Sequence, residues 1–333
     1  MTVAIAAGQP IRWGIIGTGG IASAFTGDLK LLPDAPAVAV GSRSQGSADA
    51  FGDRFGIAAR YPTYEALVED PEVDAVYVAT PHPGHHAAAL LAINAGKAVL
   101  VEKPFTINAG EARDLIAAAQ ARGTFLMEAM WTRFLPHVIR IREIVASGRL
   151  GEIRSVIADH GQWFPKDPDH RIYAPVLGGG ALLDLGVYPL SFASMIFGTP
   201  TKVTAVSDAA FTGVDAQTSV VLQYGDGRQS ISFTSLETRT ANTAVINGTD
   251  ARIEVDGVFY SPSSFSVITR AGEVERFDIP HEGHGLRHQA AEVGRCLRAG
   301  LTESPILTLA ETASIMETMD EVRRQIGLRY PSE

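Results

Sequence analysis

The chain has 333 residues, of which 46 % are hydrophobic and 20 % charged, the make-up of a globular protein with room for two domain cores. Its formal charge of −9 comes without a basic stripe, which argues against nucleic-acid binding, because phosphates are met by clustered Lys and Arg. One cysteine, Cys296, excludes an intramolecular disulfide and fits a reducing, cytoplasmic setting.

Residues 1–10 carry no basic n-region and read as a disordered tail rather than a signal peptide. From 11 onward, short apolar runs alternate with helical patterns. Residues 12–16 predict a strand, 21–32 a helix, 37–40 a strand, 47–55 a helix and 64–69 a short helix. Residues 75–79 predict a strand, 84–95 a helix, 98–101 a strand, 109–122 a helix and 124–127 a last strand. Continuous apolar strands between helices mean a parallel sheet covered on both faces.

The pattern changes at Trp131. A helix is expected over 135–147, and from 153 the strands lengthen and alternate, as in 230–234. Further strands are expected at 218–224, 243–247, 252–255 and 264–269, with Gly225-Asp226-Gly227 as a hairpin signal. Helices are expected at 180–197, 290–299 and 309–326. No apolar run approaches the ~18 residues of a membrane helix. The expected class is α/β: a parallel-sheet domain over 11–131, then a domain over 132–333 with a large, mainly antiparallel sheet. Helices cover one face of that sheet, and the other is partly free for substrate or a partner subunit.

Gly17, Gly19 and Ala22 fit G-x-G-x-x-G/A directly after the first strand. Such a loop turns tightly, lets backbone approach a pyrophosphate and aims a helix N-terminus at it, with Gly20 and Ile21 opening the helix. An NAD site places an acid at the end of strand 2, but the chain reads Gly41-Ser42-Arg43-Ser44 there, and Asp34 precedes the strand. Arg43 can pair with a 2′-phosphate and Ser42 can donate to it, so NADP is favoured over NAD.

Thr80, Pro81 and His82 end another strand and are expected to line the nicotinamide side, with His85 counted among the cofactor contacts and capping or bracing the next helix. His82, His85 and His86 lack a carboxylate or cysteine cluster to complete a metal site. Glu102-Lys103-Pro104 ends the run at 98–101; a lysine there is costly unless its charge is used. In the segment from Gly178 to Tyr188, Asp184 and Tyr188 lie four apart on one helix face. A tyrosine is a poor base at its ordinary pKa near ~10, and a nearby ammonium lowers that value. A core tyrosine and a structural aspartate fit the same pattern.

The glycine loop, Glu102-Lys103-Pro104 and the Gly178 to Tyr188 segment together resemble the family of glucose–fructose oxidoreductase and inositol dehydrogenase. The stretch from Met127 to Phe134, the tyrosine and the tail from Glu303 to Gly327 resemble its branch of dimeric dihydrodiol and NADP-dependent xylose dehydrogenases. The resemblance implies a Rossmann domain followed by an open-sheet α/β domain. It implies Lys103 beside the nicotinamide after a cis Lys103–Pro104 bond, Tyr188 as acid/base, Asp184 as an orienting residue, and a homodimer through the free sheet face. Glu102 and Arg133 join the expected cofactor contacts.

Trp131, Phe164 and Tyr260 are candidate substrate walls, since aromatic faces pack on the C–H faces of a sugar or cyclic diol. Arg171 is a candidate for substrate oxygens. The branch carries tryptophan where this chain has Tyr260, which favours a polar sugar over an aromatic diol. The expected function is NADP(H)-dependent hydride transfer at a CH–OH/C=O carbon. The alternative is a non-catalytic NADP-binding regulatory protein of the same fold.

Overall fold

A computed structural model of the chain describes residues 8–333; most of the tail expected over 1–10 lies outside them. The chain forms two compact units. One holds the residues up to Trp131 together with Glu282–Ala313, the other Thr132–His281 together with Ser314–Glu333.

The first unit alternates β1 (Trp13–Ile16), α1 (Gly20–Leu29), β2 (Ala37–Gly41), α2 (Gln45–Phe55), β3 (Ala59–Tyr61), α3 (Tyr64–Val68), β4 (Ala75–Val78), α4 (His85–Asn94), β5 (Ala98–Glu102), α5 (Ala109–Arg122) and β6 (Leu126–Ala129). The strands pair in parallel in the order β3-β2-β1-β4-β5-β6. β1, β4, β5 and β6 are buried along their whole length, as their unbroken apolar runs require. The order reverses at β1, so the crevice for a ligand lies at the carboxyl ends of β1 and β4. Side-chain caps from Ser44, Thr63 and Asn108 start α2, α3 and α5.

The second unit opens with α6 (Pro136–Ala146) and β7 (Ile153–Gly161). A π-helical turn (Leu182–Gly186) leads into α7 (Val187–Phe197), followed by β8 (Lys202–Ala209), β9 (Asp215–Gln223), β10 (Gln229–Ser235), β11 (Ala244–Gly248), β12 (Ala251–Val255), β13 (Phe265–Thr269) and β14 (Val274–Phe277). The sheet runs β14-β13-β12-β11-β7-β10-β9-β8; only the β7–β10 pair is parallel. Alternation sorts the faces. Val156, Ala158 and His160 are buried on the side where α7 packs against β7 and β10, whereas Ile157 and Ile231, in register, are each 44 % exposed on the other. The β9–β10 hairpin turns at Gly225-Asp226-Gly227 as the sequence indicates.

The helix Arg287–Arg298 (α8) returns to the first unit, and α9 (Leu309–Ile326) carries the division between units within it. Residues 282–313 therefore belong with the first unit and not, as read from sequence, with the second. Polar contacts help to tie the segment there, beside the buried apolar face of α8. Asp28 on α1 accepts from His284 N (2.9 Å) and Leu286 N (2.7 Å), and Asp34 pairs with Arg298 (2.6 Å). The expected continuous helix over 180–197 contains the π turn. The stretch Pro175–Phe197 is, contrary to the sequence reading, long and apolar enough to cross a membrane, with a mean hydropathy of 1.5 in its most apolar window. That window is 83 % buried inside the protein, as befits a core helix.

Candidate active site

The first unit builds a phosphate cradle. Gly17 adopts φ 100° because the chain must turn against the backbone after β4: a Cβ there would stand 2.6 Å from Ala79 O. Gly19 and Gly20 face open space: among the described residues beyond their neighbours, nothing lies within 4 Å of an added Cβ. α1 begins at extended Gly19 with no side-chain cap and no acid in its first turn. Its first N–H groups are thus directed at whatever enters, which suits an anion. A cavity of about 820 Å³ begins at Thr18, Gly19 and Gly20 and continues past Ser23, Arg54 and His284. These features fit a dinucleotide pyrophosphate.

At the end of β2, Ser42 is buried and bonded through its N–H to Tyr61 O (3.1 Å), while Arg43 is exposed. Ser44 is occupied in capping α2. At the end of β4, Thr80 and Pro81 lead into a 3₁₀ turn over His82–Gly84. His85 begins α4, fully buried, its Nδ1 2.8 Å from Pro104 O and its Nε2 2.9 Å from Thr80 O. One of these is a hydrogen bond from the single N–H of a neutral ring. Burial, then the neighbouring His82, pushes its pKa down to about 3. His85 was expected among the cofactor contacts. With no surface to offer a ligand, it instead ties the Lys103–Pro104 loop to the end of β4. His86 turns elsewhere, to Asp114 (2.6 Å).

Glu102 closes β5, accepting from the Tyr77 hydroxyl and from Lys103 N (3.1 Å). Lys103 follows, half-buried, and its bond to Pro104 is cis, as the resemblance implies. Trp131, half-buried, opens the 3₁₀ turn Trp131–Phe134 that follows β6.

The second unit gathers the remaining candidates around α7. Tyr188 is 7 % exposed. Its ring meets His160 edge-on at 5.2 Å and Tyr260 at 4.9 Å, and His160 stacks on Tyr260 at 3.9 Å. His160 directs Nδ1 at Leu185 O (3.2 Å) and Nε2 at Gln162 Nε2 (2.9 Å), which also donates to Tyr260 Oη (3.2 Å). That pattern assigns a neutral ring with its proton on Nδ1. Tyr260 is fixed from behind: Thr132 Oγ1 donates to its carbonyl (2.7 Å), and Phe259 N donates to Asn242 O (2.9 Å).

Asp184 and Arg171, assigned separately from sequence, form a two-point pair with N···O distances of 3.1 and 3.2 Å. Arg133 is 2 % exposed and donates to Ser191 Oγ (2.9 Å) and O (2.8 Å), fastening the turn after Trp131 to α7. Phe164 packs against the apolar cluster of Ile172, Tyr173 and Leu236. Sequence reading missed His160 and Gln162. Their only signal is position: His160 is the last inward residue of β7, after Val156 and Ala158.

Residues 11–130 match the GFO_IDH_MocA oxidoreductase family with its NAD-binding Rossmann fold, and residues 138–254 match the GFO/IDH/MocA C-terminal domain. The chain is 40 % identical to trans-1,2-dihydrobenzene-1,2-diol dehydrogenase of Sus scrofa and 39 % identical to that of Bos taurus. Each alignment covers 97 % of this chain and 99 % of the relative. Among solved structures, aldose-aldose oxidoreductase from Caulobacter crescentus superposes with a TM-score of 0.87 at 25 % identity, covering 95 % of this chain and 97 % of that one. A 3-ketoreductase from Actinomadura kijaniata, in complex with NADP and TDP-benzene, superposes with a TM-score of 0.84 at 29 % identity, covering 96 % and 98 %.

Proposed function

The chain belongs to the GFO/IDH/MocA oxidoreductase family, and from that premise we propose that it is an NADP(H)-dependent dehydrogenase acting at a CH–OH/C=O carbon of a sugar or cyclic diol. The observation that carries the reading lies within the first unit: an open phosphate cradle at Gly17–Gly20 together with Lys103 at the end of β5. Arg43, with no acid at the end of β2, supports NADP over NAD. The 3-ketoreductase that binds NADP and the relatives named for a diol support both halves of the proposal.

Bound nicotinamide would supply the hydride acceptor or donor. The chain supplies the proton. In oxidation the Tyr188 phenolate, favoured by the Lys103 ammonium, takes the substrate's hydroxyl proton; in reduction the Tyr188 hydroxyl gives that proton back. Asp184, tied to Arg171, orients the substrate. Tyr260 and Trp131 pack on its C–H faces, and Gln162 and the Tyr260 hydroxyl suit a polar ring better than a hydrocarbon. We further propose a cytoplasmic homodimer joined through the open sheet face of the second unit.

The test is a 340 nm screen of purified protein with NADP and with NAD against xylose, glucose, other aldoses and a trans-cyclic diol. The reverse direction uses NADPH with ketosugars and dicarbonyls. Faster turnover with NADP on at least one of these is expected. Tight NADP binding with no turnover on any would favour a regulatory protein.

A further inference from the structure

Asp215, at the first residue of β9, is fully enclosed, and the chemistry above does not use it. Its Oδ2 accepts from Leu182 N (2.7 Å), the first residue of the π turn, and from Thr218 Oγ1 (2.8 Å). Its Oδ1 has no hydrogen-bond partner among the described residues. It lies so close to Gly180 that a Cβ there would stand 2.2 Å away, with Tyr330 Oη 3.3 Å from the same point.

Tyr330, from the C-terminal tail, donates through its hydroxyl to Gly179 O (2.8 Å), while Gly180 N donates to Ile172 O (2.8 Å). Thr234 Oγ1 reaches both Ala181 O (3.3 Å) and His160 O (3.0 Å). The glycine turn and the start of the helix are therefore held from four directions, and Asp215 supplies the only carboxylate among these holds. Asp184 and Tyr188 follow two and six residues after Leu182, so the angle at which the helix starts decides where both side chains arrive.

We propose that Asp215 is a positioning residue for Tyr188: by gripping Leu182 N at the start of the π turn, it fixes the path along which the helix delivers the tyrosine hydroxyl. The inference rests on Tyr188 as the proton carrier. Burial pushes the Asp215 carboxyl up to about 7, so the fold keeps this group at a cost in solvation that an apolar side chain would avoid.

Steady-state kinetics test it in variants whose folding is checked by circular dichroism, on whichever substrate the screen identifies. Asp215→Ala is expected to lower kcat ~10-fold or more, with KM and NADP affinity changed by less than ~3-fold. Asp215→Asn, whose amide oxygen can replace Oδ2, should restore most of the rate. Thr218→Val, which removes one donor and leaves the carboxylate, should lose an intermediate amount and serves if Asp215→Ala does not fold. In a Tyr188→Phe background, the Asp215 and Thr218 changes should cost nothing further, because both act through the tyrosine. A folded Asp215→Ala with unchanged kcat, or a full additional loss on top of Tyr188→Phe, overturns the positioning role. Unchanged kcat in Tyr188→Phe alone overturns the mechanism on which it rests, and the two failures are distinct.

Discussion

At the carboxyl end of β2 the chain offers a guanidinium, and the next carboxylate in sequence is Asp49, inside α2. Charge-assisted hydrogen bonds contribute about 1.5–3 kcal/mol. Arg43→Ala should therefore raise the Kd for NADP about tenfold or more and leave that for NAD nearly unchanged, as read by fluorescence titration. Tyr188→Phe should lower kcat about 100-fold or more with NADP affinity intact. Asp215 gives a different signature. Its carboxyl, at about 7 in the fold, lies above the ~3.9 of an unfolded chain. Its stabilising effect is then full below pH ~4 and is lost as pH rises through about 7. His85 and His137, pushed by burial to about 3 and about 4, act in the opposite sense: their contribution is full above ~6.5 and is lost as pH falls. Thermal melts of the parent minus those of Asp215→Asn, taken from pH 4 to 8, isolate the first effect. The difference should favour the parent at low pH and decline toward pH 7.

Two glycine turns start helices, and they answer to different forces. At Gly180, φ is 121° and the Cβ position is already filled by Asp215. Gly180→Ala should therefore cost about 1–3 kcal/mol from backbone strain alone, visible as a Tm lowered by several degrees, about 2–4 °C per kcal/mol. At Gly19 no described residue beyond its chain neighbours comes within 4 Å of an added Cβ, so Gly19→Ala should melt like the parent and bind NADP poorly. Both turns are visible in the sequence as glycine runs, but which force constrains each is visible only in the fold. The same holds across the elements. The apolar parallel strands stand out as unbroken runs, and α5 and α9 stop at or just before Gly123 and Gly327, so these elements are legible within a residue or two. β8 and β14 were not expected, because each lies at an edge of its sheet with mixed or charged residues, Lys202 and Asp208 in one, Glu275 and Arg276 in the other. β3 has three residues and too little pattern to register. The π turn is invisible to a 3.6-residue period. Tyr188 was legible through its motif, whereas His160, which faces it, belongs to a strand whose alternation reads equally well as packing.

The open face of the second sheet presents Ile157 beside Ile231, with Val206 exposed along β8. Apolar groups in such a cluster are well suited to a partner surface, and a homodimer there predicts that Ile157→Lys with Ile231→Lys will sediment as a monomer while binding NADP normally. Unchanged mass would remove this face as the interface. The two units themselves are interleaved along the chain: the first is completed only by Glu282–Ala313. This has a consequence for synthesis. When Trp131 leaves the ribosome, Asp28 and Asp34 still lack the backbone N–H groups and the guanidinium that satisfy them, because these lie beyond the 150 residues 132–281. At ~5–20 residues per second, the nucleotide-binding half waits roughly 8–30 s for its final segment. Nascent chains should thus gain cofactor affinity late, only after most of the second unit has already been made.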